Sequence, residues 1–407
     1  MNSEGCRVQY HPIGGVIVSI KIKIAQFPLE ERDKAKLLIY SKGQLTDEHF
    51  YNIGDYLPKD AYLIFNDTKV IHARLLFKKG DGATIEIFLL SPENPRDMSL
   101  ALTKTDNCHW KCLIGNKKRW KANGILKQRI KIGEDEVEIS AKLINREENI
   151  VEFSLSSSAY TFGEIIHELG KMPLPPYIRR DPTQSDDSHY QTVYSKVSGA
   201  VACPTAGLHF TDNVIKKLNN KGIGHDFVTL HVSAGTFQPV KDDAVWQHAM
   251  HSEQIIISKS TIRNIYEHLD TIIAVGTTSL RTLESIYWYG LKLINLKAFS
   301  NDCLVEKLDA YADYQNTPSV KNVFEAIMNN METNNIPFIC GQTEILIMPS
   351  YDFKVCEGLI TNFHMPNTTL MFLIAAFMGE DWRKMYSHAL EKDYRFLSYG
   401  DATLLLP

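Results

Sequence analysis

The chain has 407 residues, 44% of them hydrophobic and 23% charged, with a formal net charge of −4. That length allows two or three domains around a sizeable core, and the composition excludes disordered and fibrous classes. No apolar run approaches the ~20 residues of a membrane span. The start, Met1-Asn2-Ser3-Glu4-Gly5-Cys6-Arg7, lacks the basic-then-apolar order of a signal peptide, so a cytoplasmic protein is expected.

The cysteines, Cys6, Cys108, Cys112, Cys203, Cys303, Cys340 and Cys356, are scattered and odd in number. Cys108-His109-Trp110-Lys111-Cys112 lacks the second ligand pair that structural zinc requires, so reduced thiols and no metal are expected. A mildly acidic chain gives no global reason to bind nucleic acid. Between Lys111 and Lys131, however, Lys117, Lys118, Arg119, Lys121, Lys127 and Arg129 also occur, with Trp120 among them and no acidic residue. Clustered cations suit phosphates and an aromatic suits stacked bases, but composition alone favours a solvated strand-and-turn surface.

In chain order, Val16 to Ile24 alternates as a half-buried strand does, and Tyr62-Leu-Ile-Phe-Asn66 is a short buried strand ending in the turn Asn66-Asp67-Thr68. From about Arg74 to Phe153, alternating runs such as Thr84–Leu90 and Val137–Ile144 are separated by Gly and Asn turns, the pattern of a small all-β barrel or sandwich. Thr161 to Leu169 is helical and ended by Gly170, Met172 to Arg180 is extended and proline-rich, and Asp181 to His189 is a polar surface loop. Strands then alternate with helices. Phe227–Val232, Thr271–Val275 and Glu344–Met348 read as strands; Asp212–Asn220, Ser279–Tyr289, Val320–Asn329 and Leu370–Met378 read as helices. The alternation predicts an α/β fold with its site loops at strand ends, interrupted by the β-rich insertion.

Ala202-Cys-Pro-Thr-Ala-Gly-Leu-His-Phe-Thr211 carries the most chemistry. Pro204 restricts the backbone and Gly207 permits angles closed to other residues, so the stretch reads as a rigid loop presenting Thr205 and His209. In Thr271–Glu284 a strand, a Gly276-Thr277-Thr278-Ser279 turn and a helix follow one another, which exposes helix-start amides to a carboxylate or phosphate. Arg281 and Glu284 fall one turn inside on nearly one face; the plain alternative is that Thr278 or Ser279 only caps the helix. His209 and His231 titrate in the range useful for proton transfer, although a lone strand histidine is more often a satisfied core residue. Met250-His251-Ser252-Glu253 offers another histidine–carboxylate pair or an exposed strand. A phosphate-binding P-loop, a dinucleotide fingerprint and a G-x-S-x-G elbow are all missing, which disfavours ordinary kinases, Rossmann enzymes and α/β-hydrolases.

Asn66–Arg74, Tyr190–Tyr194, Pro204–Phe210, Val228–Val232, Gly235–Phe237, Gly276–Thr278, Leu359–His364 and Tyr394–Asp401, in this order, closely resemble the S-adenosylmethionine:tRNA ribosyltransferase-isomerase family of queuosine synthesis. The likeness runs from about Ile24 to Leu406; residues 1–23 do not match, Ser233-Ala234 stands where Gly and a small residue are usual, Cys203 replaces alanine, and Thr368-Thr369 replaces Ser-Thr. The resemblance implies a barrel-like α/β catalytic domain of residues 1–74 and 154–407, interrupted by a β-barrel domain of residues 75–153. It also implies transfer and isomerisation of the ribosyl part of S-adenosylmethionine onto 7-aminomethyl-7-deazaguanine at the tRNA wobble position, giving epoxyqueuosine, adenine and methionine. S-adenosylmethionine is then a co-substrate, no cofactor or metal is needed, and a monomer is expected.

At the matched positions His209 and His231 are the candidates for proton transfer, with Glu284 orienting one of them or acting itself. Asp67, Arg281 and Asp401 are candidates for holding substrate hydroxyls or carboxylate, and Gly276-Thr277-Thr278 for cradling the methionine carboxylate. Asn362 with His364 is assigned to the base, and Thr205, Gly207 and Tyr399 to substrate binding. Lys117, Lys118, Arg119 and Lys121 gain weight as contacts to the anticodon stem-loop. The rivals are a non-catalytic RNA-binding module and an enzyme using S-adenosylmethionine on another acceptor.

Overall fold

The computed structural model describes residues 6–10, 18–79, 82–121, 124–233, 250–296, 302–314, 317–366 and 368–407. The Gly235-Thr236-Phe237 motif, Ala234 and most of residues 1–17 lie outside them. Among the described residues the fold is mixed α/β, built on a ten-stranded sheet and a separate six-stranded antiparallel one.

At the centre of the large sheet, Tyr62–Asn66 pairs in parallel with Gly224–Leu230 on one side and Ile272–Val275 on the other, and Gly358–Asn362 runs parallel beyond that. Their faces are apolar on both sides because helices cover both. Leu280, Leu283 and Ile286 from the helix Thr277–Leu296 pack one face together with Phe324 and Ile327. Phe50, Phe210, Val214 and Leu218 pack the other against Phe65, Val275 and Ile360. Four parallel strands therefore end at one edge, at Asn66, Leu230, Val275 and Asn362. In open α/β sheets that edge is where ligands bind.

The six-stranded sheet runs from Arg74–Lys78 to Ile150–Leu155, and Ile125–Ile132 comes back alongside Arg74–Lys78, so the sheet nearly closes. Its alternation buries Phe77, Ile85, Ile87, Trp110, Ile139 and Phe153 in a core of its own. The helix Phe162–Leu169 caps that core with Phe162, Ile165 and Ile166; its start is fixed by Thr161 and Glu164, each bonding the other's backbone.

Three expectations change. Glu344–Met348 is not a strand: the ladder is made by Phe338–Thr343, after which Glu344 N donates to Val305 O and Ile345 N to the Thr343 hydroxyl. The apolar run Ile345–Ile347 is buried outside any strand, with Leu346 N donating to the Lys307 carbonyl at 3.1 Å. Glu253 does not sit on an exposed strand but opens the buried strand Glu253–Ser258, with 3% of its surface accessible. The polar stretch Asp181–His189 hides Asp186, which binds both nitrogens of the Arg180 fork at 2.7 Å and accepts from Tyr399 Oη.

Candidate active site

The strand-end loops line a cavity of about 690 Å³ counted out to its open mouth. Thr205, Gly276, Thr277, Thr278, Asn362 and His364 line it. Gly276 leaves its strand at φ +90° and donates its amide to the Ile360 carbonyl at 2.8 Å, so only glycine makes this turn without strain. The helix beginning at Thr277 has first-turn amides with no intrahelical acceptor, at the cavity wall. Helix capping is not what the neighbouring hydroxyls do. Ser279 Oγ donates back to the Val275 carbonyl at 2.8 Å, and Thr278 Oγ1 accepts from Asn66 Nδ2 at 3.3 Å.

Asn362 sits at the hub of this wall. Thr205 Oγ1 donates to its Oδ1 at 2.9 Å, and its Nδ2 donates to His209 Nε2 at 3.0 Å. The other ring nitrogen of His209 bonds the Arg32 backbone. Burial lowers the pKa of His209 to about 4, so the ring is neutral near pH 7, with Nε2 as acceptor and the proton on Nδ1. The ring that the sequence presents as a loop histidine is 4% accessible and packs on Phe50. His364 lines the cavity, bonds Thr361 Oγ1 through Nε2 at 3.1 Å, and is likewise lowered by burial to about 4.

Gly207 does not need an unusual φ; it needs space. A Cβ there would lie 1.9 Å from Tyr194 Oη and 2.8 Å from Thr192 Cγ2.

His231 lies apart from this wall. Its Nδ1 is 2.9 Å from Thr68 Oγ1, burial lowers its pKa to about 4, and it lines a second cavity between the two sheets. Val232 lines both cavities. Asp67, beside Thr68, accepts from Thr229 Oγ1 at 2.7 Å, and burial raises its pKa.

The remaining charged candidates are engaged elsewhere. Glu284 is fully buried, and its carboxylate accepts from Tyr351 Oη and from the amides of Lys354, Val355 and Cys356. It anchors the segment leading into the Gly358–Asn362 strand. Arg281 pairs with Glu253, not with Glu284. Asp401 accepts from the amides of Lys36 and Arg395 and pairs with the Arg395 guanidinium at 2.9 Å. Tyr399 donates to Asp186 and lines a small neighbouring pocket with His209. Their fixed positions come from satisfied buried charge.

In the barrel, Trp120 is no stacking platform: it is 1% accessible, and its indole N–H donates to the Gly124 carbonyl at 2.9 Å. Lys118, Arg119 and Lys121 are exposed, and Lys117 is partly covered. Lys127 and Arg129 share one carboxylate, Glu138 on the adjacent strand, which offsets one of their two charges.

Sequence reasoning passed over Asn66, which is fully buried and links three loops. Its Nδ2 donates to the Leu230 carbonyl and Thr278, and its Oδ1 accepts from the amides of Thr68 and Leu230. An asparagine closing an apolar strand was the available signal. Tyr177 and Ser398, bonded at 2.6 Å, also line the first cavity; only the proline-rich context marked Tyr177. Among the described residues no three His, Cys, Asp or Glu stand together as a metal site, and no helix is long and apolar enough to cross a membrane.

A family model of queuosine biosynthesis proteins matches residues 21–405. S-adenosylmethionine:tRNA ribosyltransferase-isomerases from Magnetococcus marinus and Rickettsia bellii are each 37% identical, over 94% of this chain and 91% and 95% of theirs. The one from Treponema denticola is 35% identical, over 94% of this chain and 96% of its own. A solved structure, that of S-adenosylmethionine tRNA ribosyltransferase from Thermotoga maritima, is 28% identical, covering 94% of this chain and 96% of that one at a TM-score of 0.43. The chain belongs to the queuosine biosynthesis protein family, with the S-adenosylmethionine:tRNA ribosyltransferase-isomerases as its relatives.

Proposed function

We propose that this protein modifies tRNA in queuosine synthesis, transferring and isomerising the ribosyl part of S-adenosylmethionine onto 7-aminomethyl-7-deazaguanine at the wobble position. One observation carries the reading: Pro204–Phe210, Gly276–Thr278 and Leu359–His364, three segments that share the family's pattern, wall a single cavity. That cavity is assigned to S-adenosylmethionine. The turn at Gly276 offers unpaired amides to its carboxylate, and Thr205, Asn362 and His364 offer fixed polar groups to its ribose and adenine.

The sulfonium acidifies the C5′ hydrogens, so removal of one proton starts the reaction. Protonated adenine leaves, the neutral aminomethyl nitrogen attacks, and epoxide closure expels methionine. Each step needs a positioned base or acid and a water-poor site, with S-adenosylmethionine consumed as co-substrate and no further cofactor. His231, Asp67 and His364 are the titratable groups left with capacity for proton transfer, while His209, Glu284, Arg281, Asp401 and Tyr399 hold the scaffold. The protein acts in the cytoplasm, where its tRNA is, and as a monomer.

Incubation with S-adenosylmethionine and tRNA carrying the modified base should release adenine and methionine in equal amounts and yield the heavier base. Adenine release without a heavier tRNA base would transfer the reading to another acceptor. Tight tRNA binding with no consumption of S-adenosylmethionine would leave a binding module.

A further inference from the structure

The second cavity lies between the domains and is larger, about 1220 Å³ counted to its mouth. Lys111 and Glu93 line it from the barrel, and Gly199, His231, Ser233 and Gln254 from the α/β sheet. The His231 ring is clamped. Gly199, at φ +150°, lies so close that a Cβ would come within 2.7 Å of its Cε1 and Nδ1.

Thr68 Oγ1 lies 2.9 Å from His231 Nδ1 and 3.4 Å from the Val197 carbonyl. In the tautomer whose Nδ1–H points at Thr68, the lone pair of Nε2 faces the cavity, with no hydrogen-bond partner among the described residues. Beside it the buried Ser233 Oγ also lacks a partner. A buried hydroxyl without a partner beside the cavity is costly unless something completes it.

The groups nearby narrow what completes it. The carboxylate of Asp97, which accepts from Gln254 Nε2 at 2.8 Å, acts on the His231 ring, while Glu93 on the same cavity wall is paired with Arg96 at 4.0 Å. An imidazole nitrogen under the influence of one carboxylate suits an N–H donor, such as a primary amine. Lys111 is exposed on the barrel wall, where it suits a phosphate.

We propose that this cavity seats the acceptor base of the tRNA, with its aminomethyl nitrogen donating to His231 Nε2, its ring edge meeting Ser233 Oγ, and a flanking phosphate against Lys111. This rests on the proposed function and adds the acceptor's place to it. Val232, which lines both cavities, then separates the two substrates by the thickness of one residue.

The test compares binding of two anticodon stem-loops, identical except that one carries 7-aminomethyl-7-deazaguanine and the other guanine. Wild-type protein should prefer the modified loop by about 10-fold or more, the scale of one charge-assisted hydrogen bond. His231→Leu and Ser233→Leu should abolish the preference while leaving affinity for S-adenosylmethionine unchanged. His231→Gln, which keeps an acceptor near Nε2, should retain part of it. Circular dichroism and melting verify that each variant is folded. A folded His231→Leu that keeps the full preference, or a wild type with none, overturns the proposal. Adenine release by the wild type is read separately, so failure of the function and failure of this site are distinguishable.

Discussion

Asn362 Nδ2 donates to His209 Nε2 at 3.0 Å, which consumes the only lone pair a neutral His209 has. The same amide accepts from Thr205 through its oxygen, so His209 fixes which way Asn362 faces and thereby aims the Thr205 hydroxyl. The histidine that the opening motif presents is therefore a positioning residue.

This makes a direct prediction. His209→Gln keeps an acceptor near Nε2 and should hold kcat within about threefold of wild type, whereas loss of a general acid or base costs ~10²–10⁴-fold. His209→Leu removes the closer acceptor of the buried Asn362 Nδ2, leaving it only the 3.4 Å bond to the Asp401 carbonyl, and should cost about 1–3 kcal/mol of stability, together with raised KM for S-adenosylmethionine. A pH–rate profile unchanged in His209→Gln would accompany this. A collapse of kcat in His209→Gln at normal stability would return the residue to proton transfer.

His209, His231 and His364 all have pKa values lowered to about 4 by burial, from 6.5 in the unfolded chain. The unfolded state binds more protons between these values, so stability is complete above pH 6.5 and falls as pH drops toward 4. Each histidine contributes at most about 3 kcal/mol of that loss. Urea unfolding at pH 7 and pH 5 should show a clear drop, and His364→Leu should shallow it. Equal midpoints at the two pH values would contradict the buried neutral rings.

Much of the cavity was legible because it depends on short local signals. Gly276-Thr277-Thr278 follows an apolar strand, Asn362 and His364 close another, and a parallel sheet brings strand ends together. The roles of the carboxylates were not legible. Glu284 and Asp401 look free in sequence because their donors are mostly backbone amides and an arginine that only the tertiary fold supplies. Trp120 failed likewise: among lysines it resembles a stacking platform, yet the single helical turn Lys117–Arg119 that precedes it carries it into the barrel core.

The basic barrel surface separates into exposed cations and a pair that shares one carboxylate. Lys118, Arg119 and Lys121 are exposed, whereas Lys127 and Arg129 already face Glu138. Replacing the first three by Glu should weaken tRNA binding and lower the slope of log affinity against log salt by about 2–3, near one unit per lost phosphate contact. Replacing Lys127 and Arg129 by Gln should change the slope by less than about 1. Affinity measured from 50 to 300 mM salt reads both. Identical slopes for wild type and the triple variant would leave this face a plain solvated surface.

Gly207 and Tyr194 form a matched pair. Gly207 carries no positive φ, so Gly207→Ala is not a backbone-strain substitution; its methyl would instead meet Tyr194 Oη at 1.9 Å. Tyr194 is buried among Phe65 and Phe227 and has little room to retreat. Overpacking of this kind costs about 1–3 kcal/mol. Because Thr205 and His209 belong to the same turn, Gly207→Ala should also raise KM for S-adenosylmethionine. Tyr194→Phe removes the clashing oxygen but leaves Thr192 Cγ2 at 2.8 Å and the ring carbon Cζ at 3.0 Å, so the double variant should recover only in part. A double-mutant cycle should give a favourable coupling of about 1 kcal/mol. Additive effects in urea unfolding would mean that the loop moves aside for the methyl, and that Gly207 is not what fixes the position of Thr205.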